Sequence, residues 1–348
     1  MVKPVKKPVL GISIGDPAGI GPEICLKALS RPEIYERAVP VVYADRIVLL
    51  DGLEVTGKSF ILNPVKDPRD AKGLSGTIDY VEAGVITQKG EYAYSTVGAA
   101  SGEASFQYVV NAINDAMAGK TAGVVTGPIN KEAINMAGHH YAGHTEIFAD
   151  YTKTKNYGML LSGGGLNVIH CTTHVSMREA CNLITKERVL NVIHLAEKAL
   201  RLMGKESRRI SVAGFNPHAS ENGLFGDEEA RAIIPAIEVA KAEGLDVTGP
   251  VPPDTVFVKA LGGQADVVVA MYHDQGHIPL KLCGFRMDPE TGLYSQMSGI
   301  NTTIGLPIIR TSVDHGTAFG KAGKNRANEE SLVDAINMAI TFAENWDS

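Results

Sequence analysis

The chain has 348 residues, with 33 basic and 39 acidic side chains for a formal charge of −6, and 44% of its residues are hydrophobic. That apolar content excludes a disordered chain, which cannot bury enough surface to fold. The mild acidity excludes a general nucleic-acid binder, whose phosphate contacts need a concentrated basic surface. The length suits about two domains. No apolar run reaches the 18 or so residues that span a bilayer, so no membrane partner is expected. The apolar stretch Val9–Ile14 breaks at Asp16-Pro17, too short for the core of a signal peptide. Four scattered cysteines (Cys25, Cys171, Cys181, Cys283) form no C-x-x-C pair and suit a reduced cytoplasm.

In chain order, Val9–Ile14 reads as a buried strand, followed by the turn Gly15–Gly21 and a helix opened by Pro22 and running to about Leu29. Proline costs nothing at a first helical turn, where the N–H has no helical partner. Ser101 is placed to cap a helix whose apolar positions Val109, Val110, Ile113 and Met117 follow helical spacing, with Gly119 past its end. Gly123–Thr126 reads as a strand and Asn130–Ala137 as a short helix. Leu166–His170 is a strand, and Thr185 caps a helix that runs to Met203 and stops at Gly204. Arg209–Gly214 is a strand, Asp227–Glu243 a helix with acidic residues in its first turn, and Asp266–Met271 an apolar strand. This alternation predicts an α/β protein with a largely parallel sheet covered on both faces.

Three of these strands run into histidine-bearing loops, at His174, His218 and His273. Ligands bind beyond the carboxyl ends of parallel strands, and neutral imidazoles suit a divalent transition metal. A lone histidine is more often a hydrogen-bonded structural residue; three at equivalent strand ends strengthen the metal case. His170 and His194 read as structural, and His139 and His140 receive no role. Gly143-His144-Thr145-Glu146 reads either as an anion site at a helix start or as a simple cap. Arg310 and Lys281 could clamp phosphate or carboxylate, or be solvated charges. The turn Gly15–Gly21 matches neither G-x-G-x-x-G nor a P-loop, and reads as a strand-to-helix turn without ligand.

Taken together, Gly15–Glu23, Gly143–Glu146, Asn216–His218, Tyr272–Gly276 and Ile309–Ala318, in that order, resemble the 4-hydroxythreonine-4-phosphate dehydrogenase family. The resemblance implies an isocitrate/isopropylmalate-dehydrogenase-like α/β fold, two domains with a cleft between them. A cofactor-side domain is then expected over residues 1–128 and 300–348, and a metal, substrate and dimerisation domain over 129–299. It further implies a homodimer with shared active sites, a small phosphorylated acid as substrate, NAD, and one divalent metal ion held by His174, His218 and His273. His174 is implied to lie across the interface from the other two. Substrate contacts implied are His144, Thr145, Lys281, Asn301 and Arg310. The run His315-Gly316-Thr317-Ala318, with Gly323 downstream, resembles the adenosine-binding loop of isopropylmalate dehydrogenases. Lys281 and Asp274 are the candidate proton carriers.

The segments Glu221–Glu229 and Gly276–Lys281 look more like a branch that oxidises 4-phospho-D-threonate or 4-phospho-D-erythronate to dihydroxyacetone phosphate and CO2. The alternative is the 2-amino analogue used in pyridoxal phosphate synthesis. Gly284–Ile300 is longer than the family's usual link between the lysine and the asparagine. A metal-dependent phosphate-ester hydrolase and a non-enzymatic phosphate-binding module are the competing readings of the same residues.

Overall fold

The structure is a computed structural model that describes residues 7–290, 294–297 and 299–346. Its first segment runs β1 (Val9–Ser13), α1 (Gly21–Ala28), α2 (Pro32–Arg37), β2 (Val39–Tyr43), α3 (Arg46–Thr56), β3 (Ile61–Pro64), β4 (Thr77–Val81), α4 (Ala99–Met117), β5 (Gly123–Thr126), α5 (Lys131–Met136) and α6 (His144–Tyr151). The next holds β6 (Gly158–Gly163), β7 (Leu166–His170), α7 (Met177–Leu183), α8 (Lys186–Leu202), β8 (Ile210–Ala213), α9 (Ile234–Ala242), β9 (Val247–Val251), α10 (Val256–Leu261) and β10 (Val267–Ala270). It continues through α11 (His273–Gly284), β11 (Phe285–Met287), β12 (Tyr294–Met297) and β13 (Ile300–Ile304). β14 (Ile309–Val313) and α12 (Glu330–Glu344) follow. These elements form two compact units, residues 7–155 with 306–344, and residues 156–305 with 345–346.

In the first unit the strand order is β3-β4-β2-β1-β5-β14, and every pairing is parallel. β1, β5 and β14 are nearly or wholly buried along their length, which is why they read as apolar runs rather than alternating ones. Their register sets Ser13 beside Thr126 and Thr126 beside Ser312. The turn after β1, the loop after β5 and the loop after β14 therefore leave the sheet at one edge.

The second unit has the order β13-β6-β7-β10-β8-β9. β7, β10, β8 and β9 are parallel, but β6 is antiparallel to both β13 and β7. The β6–β7 connection is the two-residue turn Gly164-Gly165, with φ of +58° and +84°. Two positive φ values match the twist of a tight hairpin, and glycine adopts them without a steric penalty. The core of this unit packs Leu161, Val168, Val256, Val268, Ala270 and Leu280.

Several sequence expectations are refined. Thr185 does cap α8, accepting from the Arg188 N–H, and Gly204 follows with φ +69°. α4, however, starts at Ala99 after Gly98; Ser101 lies inside its first turn and donates its hydroxyl to the Gly98 carbonyl instead of capping. The helix expected over Asp227–Glu243 opens with a wide π-turn, Glu229–Ile233, before α9. Within the long link, β11 and β12 pair as an antiparallel ribbon; residues 291–293 and 298 of that link lie outside the described residues.

Candidate active site

In the second unit, β7, β10 and β8 end level with one another, His170 beside Ala270 and Val269 beside Val212. Their following segments consequently emerge on one side. His174 and His273 come together, ring centroids 5.7 Å apart, and both line an open pocket of about 290 Å³ with Thr172, Tyr272 and Asp274. His273 is not in a loop, as its strand-end position suggested; it is the first residue of α11. Its Nδ1–H donates to the Asp274 carboxylate at 2.7 Å, which leaves Nε2 with the lone pair. That is the tautomer a metal ligand needs, and the imidazole–carboxylate pairing is how proteins orient such ligands. The donor chemistry therefore fits a divalent transition metal.

His218 stands apart from that pair. Its ring lies 6.3 Å from that of Phe225, in a loop where residues 218–222 all take φ between 48° and 65°. This left-handed turn is pinned from beneath by Glu229. The buried Glu229 carboxylate accepts from the N–H groups of Phe215 and Asn216 at 2.7 and 2.8 Å, and from the Asn216 side chain at 2.8 Å. Sequence reasoning gave Glu229 only a favourable place in a helix's first turn; the π-turn carrying it is where the helix yields to the loop. Among the described residues of one chain, no three His, Cys, Asp or Glu side chains close into a metal-binding group.

Lys281, on α11, sets its ammonium 4.3 Å over the Phe285 ring. Asn301, on β13, donates its amide to the Met159 sulfur at 3.1 Å. Two further histidines join this region, His170, read as structural, and His277, which received no role. His277 stacks flat on His273, centroids 3.6 Å apart at 11°, and His170 lies 4.8 Å from His277. The signal was available as the i, i+4 spacing of His273 and His277 on one helix.

The first unit gathers a different set. Arg310, on β14, is 2% exposed; it donates to the Thr126 hydroxyl at 3.2 Å and sits 5.6 Å over the Phe148 ring. Burial brings its pKa down to about 10, with Glu146 opposing, so it remains a cation at neutral pH. His144 opens α6 directly after Gly143. Burial, reinforced by the charges of Arg310 and Lys131, holds the His144 imidazole well below its ordinary 6.5, and its Nε2 is buried without a hydrogen-bond partner. Thr145 follows on the same turn, half-buried.

The loop after β14 docks on the glycine-rich turn after β1. The Thr317 carbonyl accepts from the Ile20 N–H at 3.0 Å, and a Cβ on Gly19 would meet the Thr317 Cβ at 2.9 Å. His315 Nδ1 lies 3.0 Å from the Gly316 carbonyl, Ala318 takes φ +43°, and nothing stands within 4 Å of where a Gly316 side chain would begin. An anchored loop with open space above a glycine fits a flat cofactor group. Gly15–Gly21 is thus the platform of the His315–Ala318 loop, a role its sequence alone did not reveal.

The fold and these two groups of residues define an α/β protein with a buried cation in one unit and clustered imidazoles in the other. Residues 36–339 match the family described as Pyridoxal phosphate biosynthetic protein PdxA, and the chain belongs to that family. It is 43% identical over 336 residues to a D-threonate 4-phosphate dehydrogenase of Salmonella typhimurium, covering 96% of this chain and 98% of the relative. A crystal structure of 4-hydroxythreonine-4-phosphate dehydrogenase from Klebsiella pneumoniae superposes with a TM-score of 0.83 at 40% identity, over 98% of this chain and 99% of that one. A terephthalate 1,2-cis-dihydrodiol dehydrogenase from Burkholderia xenovorans gives 0.68 at 30% identity, over 97% and 98%.

Proposed function

We propose that this protein is an NAD-dependent, divalent-metal-dependent dehydrogenase that oxidises C3 of a 4-phosphorylated four-carbon hydroxy acid. The substrate is 4-phospho-D-threonate or 4-phospho-D-erythronate, and the products are dihydroxyacetone phosphate and CO2. The observation that carries this reading is end-to-end similarity to a D-threonate 4-phosphate dehydrogenase. The His273 tautomer and the anchored His315–Ala318 loop support it.

In this reading residues 1–128 with 300–348 serve the cofactor, and 129–299 serve metal, substrate and dimer contacts. The metal ligands are His174, His218 and His273, and the cofactor loop is His315–Ala318. A divalent metal held there would supply Lewis-acid polarisation of the C3 oxygen, and NAD at the loop would be the hydride acceptor. Arg310 holds an anionic substrate group through its planar fork, while His144, kept neutral, and Thr145 offer hydrogen bonds without adding charge. Asn301 completes the substrate contacts. The C3 hydroxyl proton goes to the Asp274 carboxylate or to Lys281, which accepts it only as the free amine. Loss of CO2 from the resulting β-keto acid leaves an electron pair on C2, and the group that took the C3 proton returns it there. The cycle consumes no net proton.

The reading includes a homodimer in the cytoplasm. Val175, Met177, Leu224, Phe225, Ile278 and Leu282 of the second unit are all exposed apolar side chains, which supports a partner surface there. All four cysteines are free thiols, as a reducing compartment requires, and among the described residues no helix is long and apolar enough to cross a membrane.

The 2-amino analogue, 4-phosphohydroxy-L-threonine, is the second reading, favoured by the likeness to the Klebsiella enzyme. An ammonium at C2 cannot give a lone pair to a metal, and a site built for one hydrogen-bonding pattern rejects another strongly. NADH formation with purified protein, a divalent metal and each of the three acids tests both. We expect kcat/KM for a hydroxy acid to exceed that for the amino acid by about tenfold or more. The reverse preference assigns the protein to pyridoxal phosphate synthesis, and free phosphate without NADH makes it a hydrolase.

A further inference from the structure

Four imidazoles of the second unit lie in one line of contact. His174 faces His273 at 5.7 Å, His273 stacks on His277 at 3.6 Å, and His277 meets His170 at 4.8 Å. The site reading uses only the first two. His277 gives its Nδ1–H to the His273 carbonyl at 2.9 Å, one helical turn back, and this bond turns its ring flat against the His273 ring. Behind it, His170 is wholly buried and gives its own Nδ1–H to the Met159 carbonyl at 3.2 Å. Its Nε2 is buried with no hydrogen-bond partner. Gly276 makes the room: a Cβ there would meet that Nε2 at 2.3 Å.

A buried imidazole with one unsatisfied nitrogen is costlier than an apolar side chain of similar size. Packing α11 on β7 would not require it. An imidazole with its Nδ1–H tied to β6 and its edge on His277 does something a leucine cannot: it fixes the plane of a second ring. His273 in turn is clamped on two sides, by the Asp274 carboxylate at Nδ1 and by the His277 face.

We propose that His277 is a positioning residue, a flat support backed by the buried His170, that fixes the ring plane of His273 for metal ligation. The inference rests on the reading of His273 as a metal ligand. Orienting groups of this kind change metal affinity by about 10–100-fold when removed.

Two substitutions of similar bulk separate ring support from simple filling. His277→Leu occupies the space without a flat face; His277→Phe keeps the face and loses both ring nitrogens. Co2+ is titrated into the metal-free full-length protein, followed by its visible absorption and by competition with a chromophoric chelator, and thermal melting of the metal-free forms is recorded alongside. His277→Leu should weaken Co2+ binding about 10–100-fold and alter the visible bands. His277→Phe should stay within about threefold of the parent, because a flat ring still backs His273. Equal affinities in the two variants, whether both intact or both weakened, overturn the proposal provided His273→Ala abolishes binding. If His273→Ala itself leaves Co2+ binding unchanged, the ligand reading fails and the proposal falls with it.

Discussion

The two units bury ionisable groups in opposite ways. The first encloses a permanent charge, Arg310 on β14, and a carboxyl that burial raises to about 6, Asp16 in the turn after β1. The second encloses one imidazole that burial keeps neutral, His170, with the half-buried rings of His277 and His273 stacked in front of it at the start of α11. A fixed cation is suited to hold an anionic substrate group, since it needs no proton to act. Neutral imidazoles are suited to give lone pairs to a metal. The all-parallel sheet of the first unit leaves its loops at one edge, whereas the antiparallel β6 of the second places Met159 where its carbonyl can hold His170.

The largest effect should come from breaking the imidazole side. His218→Ala and His273→Ala should each lose metal and nearly all activity while the fold persists, because a ligand removed from a three-imidazole site costs several kcal/mol of charge stabilisation. Metal analysis at full occupancy in both variants refutes the assignment. Subunit exchange sharpens it further. His174 and His273 of one chain are 5.7 Å apart while His218 stands off in its own loop, so His218 is the ligand expected from the second chain. Mixing His218→Ala with His273→Ala subunits should restore one of the two sites in each mixed dimer, and mixing His174→Ala with His273→Ala should restore none. The opposite pattern puts His174 across the interface, the arrangement implied by the family resemblance.

How much of this was legible in the sequence follows from what each signal depends on. β5 and β7 were read to the residue because buried parallel strands are short apolar runs bounded by glycine or polar turns. The caps of α8 were legible because a threonine and a glycine act locally. The antiparallel β6 was not, since a hairpin depends on which strand it pairs with, and Gly164-Gly165 received no reading of its own. The π-turn at Glu229 was missed because it depends on a carboxylate reaching back to Phe215 and Asn216, a tertiary contact with no local pattern. His170 was read as structural, and its contact with His277 emerges only when β7 and α11 pack together.

Next in size is an acid limb set by His170. Burial, with the nearby His277 and His273, pushes its pKa from the ordinary 6.5 to about 3. The unfolded chain then binds a proton that the folded chain refuses, so stability is full above 6.5 and falls as pH drops toward 3. By pH 5 the loss from this group should be about 2 kcal/mol. Denaturant unfolding at pH 7.5 and pH 5, compared with His170→Leu, checks it. The variant trades the unsatisfied Nε2 for an orphaned Met159 carbonyl and should lose less on acidification. Parallel curves would show that His170 does not carry the limb.

Asp16 supplies the opposite slope. Its Oδ1 accepts from the Ala18 N–H at 2.8 Å, while Oδ2 is buried without a partner. Burial raises the carboxyl from 3.8 to about 6, with the Ala18 N–H and the Ser101 hydroxyl pulling the other way. Here the folded chain keeps a proton that the unfolded chain releases, so stability is full below 3.8 and is lost as pH rises through 6. Above that pH the ionised group costs about 3 kcal/mol in full and less once the turn relaxes around it. Asp16→Asn retains an acceptor for Ala18 and carries no charge, so it should unfold at higher denaturant than the parent at pH 7.5, with the gap closing toward pH 4. Because Asp16 sits in the turn on which the His315–Ala318 loop is anchored through Ile20 and Thr317, the same substitution reports on what the carboxyl is for. If Asn stabilises the fold and leaves the KM for NAD unchanged, the carboxyl is only a cost of the turn. If it stabilises the fold but raises that KM, its charge serves the cofactor loop, and the first unit uses a destabilising group for binding much as the second uses the unsatisfied nitrogen of His170.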